Sequence, residues 1–196
     1  MEGTVLCAAN HAPLTPISFL ERTALVYPDC PAIVAAGHAA APPPRTWRQT
    51  RDHCLRLAAA LAGLGVARRD VVAVFAQNIP AFCELHFGIP MAGAVICALN
   101  SRLDAGMASV LLQHSEAKVV FVDAALLGVA REALRFISQQ AGGASRVPAV
   151  VLINEALDEP PPAATGNDKI PGVDRCYEYE ALLSNSRGGD PEFLIR

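Results

Sequence analysis

Cys83 and His86 form the first pair whose residue types and spacing could do chemistry. They stand three positions apart, so a helix would place both on one face, as two ligands of a metal ion would be. A zinc site needs three or four ligands, so two residues do not make one. The adjacent His53 and Cys54 point to different sides of their helix and form a weaker pair. Structural packing is therefore the favoured interpretation of both pairs.

His114, Ser115 and Glu116 contain residue types found in catalytic triads of hydrolases. Adjacent positions on a helix do not face one another, so these three side chains cannot form a triad. We interpret this segment as the end of a helix.

Asn78, Asn100 and Arg102 each follow a predicted strand. Ligands of open α/β sheets bind at the carboxyl ends of the strands, so these side chains are candidates for a ligand contact. Asparagine also favours turns, where its side chain bonds the nearby backbone. Turn formation is the favoured interpretation, and a ligand contact stays open.

Nucleotide-binding and nucleophile motifs are missing from the printed sequence. After the apolar run VVAVFA the chain reads QNIPAF, without the closely spaced glycines of a dinucleotide-binding turn. It contains no GxxxxGK[ST] phosphate loop and no GxSxG elbow. We therefore assign no catalytic, cofactor-binding or metal-ligating residue from the motifs.

Composition and charge exclude several classes of protein. The apolar fraction is 52% before glycine is counted, above the roughly 45–50% of a typical soluble domain with glycine included. The excess indicates an alanine-rich core together with apolar surface that something else covers, so self-association or pairing is possible. The net charge is −3 and the basic residues are scattered, which gives no support to nucleic-acid binding.

Residues 71–99 carry a single formal charge, Glu84, and are apolar enough to suggest a membrane span. Pro80 and Pro90 divide the stretch into pieces shorter than the ~20 apolar residues that a span needs. A buried parallel sheet is the better explanation.

Six cysteines are spread through the chain without a CxxC pair, which favours free thiols in a reducing compartment. The first residues, MEGTVLCAANHAPL, lack the basic and apolar regions of a signal peptide. Cytoplasmic localisation is the default expectation.

The hydrophobic pattern predicts helices that alternate with short strands. Helices are predicted over Ser18–Tyr27, Arg48–Leu64, Ile79–Gly93, a segment capped by Asp104, Ala124–Gln139 and Tyr177–Ser184. Strands are predicted over Ala32–Ala36, Val71–Ala76, Val95–Leu99, Lys118–Val122 and Ala149–Ile153. This order implies an α/β fold with a mostly parallel, layered sheet and helices on both faces.

Local signals set the expected ends of these elements. Ser18 with Glu21 three residues later predicts a capping box, and Gly65 predicts the end of the second helix. Pro90 is expected to end or kink the third helix. Residues 37–44 and 155–172 are predicted loops, the second of them flexible.

For three helices, the sequence predicts which residues lie together on one side. The second carries Cys54, Leu57, Leu61 and Leu64 at helical spacing, the fourth Met107, Leu111 and His114, and the fifth Leu126, Ala130, Ala133 and Ile137.

Several of these segments resemble one enzyme superfamily. Thr46–Val74 (TWRQTRDHCLRLAAALAGLGVARRDVVAV), Gly88–Leu103 (GIPMAGAVICALNSRL) and His114–Asp123 (HSEAKVVFVD) are similar to the N-terminal part of the adenylate-forming, AMP-forming acyl-CoA synthetases. The segment Asn10–Asp29 (NHAPLTPISFLERTALVYPD) resembles plant acyl-activating enzymes related to benzoate and short-chain acyl-CoA ligases. The resemblance covers essentially the whole chain.

The resemblance implies an acid–thiol ligase that uses ATP, Mg²⁺ and coenzyme A to convert a carboxylic acid into a thioester. The family's phosphate loop ending in Pro-Lys-Gly, its Tyr-Gly-x-Thr-Glu segment, its ribose-binding Asp and its catalytic Lys are absent from these 196 residues. We therefore carry no family site residue onto this sequence. Residues 1–196 are expected to form the N-terminal part of the AMP-binding domain, with the C-terminal domain absent.

The isolated chain is accordingly expected to be catalytically silent. The alternatives are a non-catalytic module that pairs with a full-length relative, or a truncated gene product. Several relatives are peroxisomal through a C-terminal tripeptide. Leu194-Ile195-Arg196 is not such a signal, so peroxisomal localisation is the alternative to the cytoplasm.

Overall fold

The structure is a computed structural model that describes residues 14–35, 43–140, 147–154 and 175–186. Its strands are β1 (Pro31–Ile33), β2 (Arg45–Thr46), β3 (Val71–Phe75), β4 (Val95–Ala98), β5 (Val119–Asp123), β6 (Ala149–Ile153) and β7 (Cys176–Glu178). Its helices are α1 (Pro16–Val26), α2 (Trp47–Gly63), α3 (Pro80–Met91), α4 (Ala105–His114), α5 (Leu127–Gln140) and α6 (Tyr179–Asn185).

Five strands form the central sheet in the order β4-β3-β5-β6-β7, and every neighbouring pair is parallel. β3, β5 and β6 lie inside the sheet and are rich in valine, whose branched side chain suits a strand covered on both faces. β4 is an edge strand, and Val95 at its start is 50% exposed. The predicted buried parallel sheet is confirmed.

The helices cover both faces of this sheet. One face packs against α2, α3 and α6 through a cluster that includes Leu57, Leu85 and Leu183. The opposite face packs against α4 and α5 through Leu112 and Leu134. Alternate residues along each strand supply the two clusters, because successive side chains of a strand point to opposite faces. The predicted arrangement, with helices on both faces, is confirmed.

The first helix begins earlier than predicted, and its cap is a different residue. Thr15 is the N-cap: its hydroxyl accepts a hydrogen bond from the backbone N–H of Ser18 at 3.2 Å. Ser18 is the third helical residue of that capping box, so its prediction as N-cap is wrong. Pro16 explains the earlier start, since its fixed φ suits the first helical position. Glu21 instead pairs with Arg51 of α2 at 2.6 Å.

The second helix ends at its predicted signal, and the fourth helix begins at its predicted signal. α2 has its C-cap at Leu64, and Gly65 follows with a φ of +82°. Asp104 caps α4 by accepting a hydrogen bond from Met107 N at 2.8 Å. α3 ends at Met91, directly after Pro90, which lies in its last turn.

The faces predicted for α2 and α5 are buried, apart from the half-buried Leu64 and Leu126, whereas on α4 a different set of residues is buried. Cys54, Leu57 and Leu61 are buried on α2, and Ala130, Ala133 and Ile137 are buried on α5. On α4 the buried residues are Ala105, Ala108, Ser109 and Leu112. Met107 is 50% exposed, because the small side chains of α4 are the ones that fit against α5.

The structure adds three elements that the pattern did not predict. The first is β2, which pairs antiparallel with β1, the strand that was predicted over Ala32–Ala36, so that Pro31 lies opposite Thr46. A short 3-10 turn over Ala124–Leu126 precedes α5. β7 occupies the start of the segment predicted as the last helix and pairs with β6, so that Tyr177 lies opposite Val151.

Some predictions fall on residues outside the described part of the chain. These are the loop over residues 155–172 and most of the loop over 37–44. Within the described residues, no helix has the length and apolar character that crossing a membrane requires. No disulfide joins the described cysteines, of which Cys54 is buried and Cys30, Cys83 and Cys176 are exposed.

Candidate functional site

The strand order creates a switch point between β3 and β5. After β3 the chain passes through α3 to β4 on one side, whereas after β5 it passes through α5 to β6 on the other. Connections that leave in opposite directions open a crevice at the carboxyl ends of the two strands, where open α/β sheets bind ligands. The residues that follow Phe75 and Val122 therefore border the candidate site.

Asp123 ties the two strand ends together at this crevice. One carboxylate oxygen accepts a hydrogen bond from Gln77 N at 3.2 Å, and the other accepts one from Ala125 N at 3.0 Å. The residue is only 8% exposed. Because both oxygens are engaged by backbone N–H groups, Asp123 shapes the crevice. Sequence reasoning missed it, although an acidic residue at a strand end was the available signal.

The three predicted candidates lie along the same edge of the sheet in two separate turns. Asn78 follows β3 and is exposed, as Asn100 and Arg102 are after β4. The side-chain oxygen of Asn100 accepts a hydrogen bond from Arg102 N at 3.0 Å. The predicted turn chemistry is confirmed for Asn100. Asn78 remains the candidate nearest the switch point.

Cys83 and His86 both lie on the exposed side of α3. His86 Nδ1 lies 2.8 Å from the carbonyl oxygen of Phe82, and the two rings meet edge to face at 4.6 Å. Across the described residues, no three His, Cys, Asp or Glu side chains come together as metal ligands. His114 is the last residue of α4 and Ser115 its C-cap, which confirms a helix terminus there.

A buried charged cluster centred on Glu84 is the largest feature that sequence reasoning missed. Glu84 lies on α3 with its side chain fully buried. The Arg45 guanidinium of β2 contacts its Oε1, and the Tyr179 hydroxyl of α6 donates to its Oε2 at 2.8 Å. His53 Nδ1 of α2 lies 3.4 Å from Oε1, without the geometry of a hydrogen bond. The sequence showed Glu84 only as the lone charge of an apolar stretch.

The environment keeps Glu84 ionised. Burial alone would raise the pKa of its carboxyl, but the nearby His53 and the Arg45 guanidinium outweigh burial and lower the pKa below its ordinary value. Both carboxylate oxygens are engaged, so the cluster offers a strong link between elements rather than a proton-transfer group.

Cys54 adjoins this cluster from α2. Its thiol lies 3.5 Å from the backbone carbonyl oxygen of Glu84. Burial and the negative charge of Glu84 raise the pKa of the Cys54 thiol far above its ordinary value. The thiolate is the nucleophilic form of cysteine, so Cys54 is not a candidate nucleophile.

Comparisons with known proteins show similarity to one family. The family model described as "AMP-binding enzyme" matches residues 20–182. A probable acyl-activating enzyme of Arabidopsis thaliana is 47% identical over 193 residues, which cover 98% of this chain and 31% of that protein. A peroxisomal butyrate–CoA ligase of the same plant is 43% identical, over 97% of this chain and 30% of the ligase.

The fold matches that of solved ligases. The crystal structure of an anthranilate CoA ligase in complex with anthranoyl-AMP aligns with a TM-score of 0.68 at 19% identity, over 94% of this chain and 31% of that one. The chain thus spans about a third of the length of the relatives it matches.

Proposed function

Because this chain belongs to the AMP-binding enzyme family, we propose that it forms the N-terminal portion of an acid–thiol ligase. The complete enzyme would activate a carboxylic acid as an acyl-adenylate and transfer the acyl group to coenzyme A. The observation that carries the proposal is the 47% identity to an acyl-activating enzyme along 98% of this chain. The parallel sheet with its switch point between β3 and β5 agrees with it.

The reaction has two displacement steps. A carboxylate oxygen attacks the α-phosphorus of ATP, a P–O bond forms, and pyrophosphate leaves. The sulfur of coenzyme A then attacks the acyl carbon, a C–S bond forms, and AMP leaves. Mg²⁺ would neutralise phosphate charge in the first step. ATP, Mg²⁺ and coenzyme A are thus cofactors of the intact enzyme, and no residue of this chain is assigned to hold them.

We propose further that the 196-residue polypeptide alone does not catalyse either step. This rests on the motif content of the printed sequence, which lacks the family's phosphate loop and catalytic lysine. The test incubates the purified chain with ATP, Mg²⁺ and a panel of short-chain and aromatic acids, and measures pyrophosphate release. A full-length relative such as the butyrate–CoA ligase of Arabidopsis thaliana serves as the positive control. Release above background by this chain would contradict the proposal of silence.

A complementation experiment tests the assignment to the ligase itself. The part of the butyrate–CoA ligase that lies beyond its match to this chain would be co-expressed with the chain. Restored pyrophosphate release would support the N-terminal-portion proposal, since the fold would be complete. A stable complex without activity for any acid in the panel would count against it.

The second candidate is a non-catalytic module that pairs with a full-length relative. It is favoured by large apolar residues in and beside α1 and β1 that are more than half exposed. These are Leu14, Phe19, Leu25, Val26, Tyr27 and Val34. Exposed apolar surface is a candidate contact surface for a partner chain. Co-purification of the chain with the relative, as a discrete heteromer on a sizing column, separates this candidate from a self-contained fragment.

Localisation is proposed from the same relatives. Several of them are peroxisomal by name, the butyrate–CoA ligase among them. We propose the cytoplasm for the polypeptide as printed, with the peroxisome as the alternative. A fluorescent tag at the N-terminus, which leaves any C-terminal signal free, distinguishes the two compartments.

A further inference from the structure

We propose that Glu84 is a latch residue. Its single buried carboxylate holds two segments, which are distant from each other in sequence, against the α2–α3 pair. The segments are the β1–β2 hairpin and α6. Arg45 of the hairpin is 39 positions from Glu84 in sequence and Tyr179 of α6 is 95 positions away, yet each contacts a different oxygen of the same carboxylate. The proposal is independent of the enzyme activity proposed above.

Both segments are too small to hold their positions alone. β1 and β2 comprise three and two residues, and α6 comprises seven. Isolated hairpins and helices of this length are unstable in water, so tertiary contacts decide their placement. α6 has apolar anchors in Tyr179, whose ring meets Phe121 edge to face at 6.1 Å, and in Leu183.

The charge balance makes the contacts interdependent. An ionised carboxylate in the interior must be paired, and losing one partner weakens the environment that holds the other. Glu84 is faced by His53 and Cys54 from α2, by Arg45 from β2 and by Tyr179 from α6. Removal of either contact, the one from Arg45 or the one from Tyr179, therefore loosens the segment that carries the other.

A direct but exposed contact runs in parallel with the latch. Arg45 Nη2 lies 3.5 Å from Glu180 Oε1, whose side chain is 49% exposed. Exposed ion pairs contribute little, so we expect the buried route through Glu84 to dominate. Glu180→Gln serves as the control that removes the exposed route alone.

Hydrogen–deuterium exchange on the full 196-residue chain tests the latch. The first variant is Tyr179→Phe, which keeps the ring packing and removes one hydroxyl. The reporters are the amides of α6 and the Trp47 amide, which donates to Cys30 O at 3.1 Å where the hairpin meets α2. We expect exchange to rise on the order of tenfold in both segments, while β3 and β5 stay protected. Glu180→Gln should change neither segment.

The second arm repeats Tyr179→Phe in a Glu84→Gln background. The latch predicts that the Trp47 amide then no longer responds to the loss of the hydroxyl, because the connection is already broken. The proposal is overturned if Tyr179→Phe accelerates exchange in α6 alone, if the hairpin responds equally in both backgrounds, or if β3 and β5 lose protection to the same extent.

Discussion

Gly88 of α3 faces Leu57 of α2 so closely that a Cβ atom at position 88 would lie 2.4 Å from Leu57 Cδ2. Leu57 is fully buried and packs in the cluster on one face of the sheet. The missing side chain at position 88 is what allows the two helices to approach, so the spacing of the α2–α3 pair depends on this glycine.

Gly88→Ala should therefore destabilise the chain. A Cβ contact below 3.0 Å with the body of a buried leucine forces either helix to shift, and such overpacking costs about 1–3 kcal/mol. Urea unfolding measures the change in the free energy of unfolding. Gly63→Ala on α2 is the matched control, because nothing lies within 4 Å of its Cβ position. The control should be neutral or up to about 1 kcal/mol stabilising. Equal effects at both positions would disprove the close approach.

Glu84→Gln should remove a pH-dependent part of the stability. The pKa of Glu84 is lowered in the folded chain, so its stabilising effect is complete above the unfolded value of about 4.3 and disappears as the pH falls through the folded pKa. At pH 7 we expect the variant to lose about 3 kcal/mol, the lower end for breaking a buried ion pair. Below about pH 4 the difference from the wild type should shrink.

The comparison of Glu84→Gln with the wild type needs a control, because several groups face Glu84. His53, Arg45 and Tyr179 surround the carboxylate, and the Cys54 thiol contacts the backbone carbonyl oxygen of Glu84. Glu132→Gln, at an exposed site on α5, controls for the loss of a glutamate charge as such. Urea unfolding across pH 3–8 compares the three proteins. A constant difference between wild type and Glu84→Gln over that range would mean that folding does not lower the pKa of Glu84.

Asp123→Ala should open the junction between the ends of β3 and β5. It leaves the N–H groups of Gln77 and Ala125 without their acceptor, and hydrogen bonds to a charged acceptor contribute about 1.5–3 kcal/mol each. We expect a loss of about 3 kcal/mol, the lower end for the two bonds together. Asp123→Asn retains one acceptor oxygen and should recover part of it. Full stability of the alanine variant in thermal unfolding would contradict this role.

Asp104→Ala should shorten or fray α4. The carboxylate accepts the N–H of Met107 at 2.8 Å, and the loss of such a cap costs about 1 kcal/mol. Asp104→Ser supplies another good N-cap and should cost less. Circular dichroism with thermal unfolding compares the variants, and an identical effect of alanine and serine would show that the cap is unimportant.

Local signals in the sequence predicted most of the central architecture. The runs at Val71–Ala76 and Val95–Leu99 became parallel strands, and Asp104 and Gly65 mark helix ends where expected. Such features depend on residues within one or two turns of each other. The capping error at Ser18 has the same local origin, because Thr15 and Pro16 offer a competing start that the pattern alone did not rank.

The elements that were missed depend on distant partners. β7 is three residues long and is a strand because it pairs with β6. α4 buries its alanines rather than Met107, since α5 decides which face is covered. No periodicity within either segment contains that information.

The same division between local signals and distant partners applies to the candidate sites. Asn78 and Asn100 could be placed after strands from the sequence, because the end of a strand is a local property. The partners of Glu84 could not, since Arg45 and Tyr179 are 39 and 95 positions away. The strand order that puts Asp123 beside Gln77 was equally hidden.

The sequence by itself determined the alternation of helices and strands, the apolar character of the parallel strands and the family to which the chain belongs. Those properties reside in short-range patterns and in residue-by-residue similarity. Only the tertiary structure decided that a lone charge in an apolar stretch would be buried between the β1–β2 hairpin and α6. A buried ionised group is stable only when its pairing partners lie beside it. Those partners are distant in sequence, so only the complete fold brings them together.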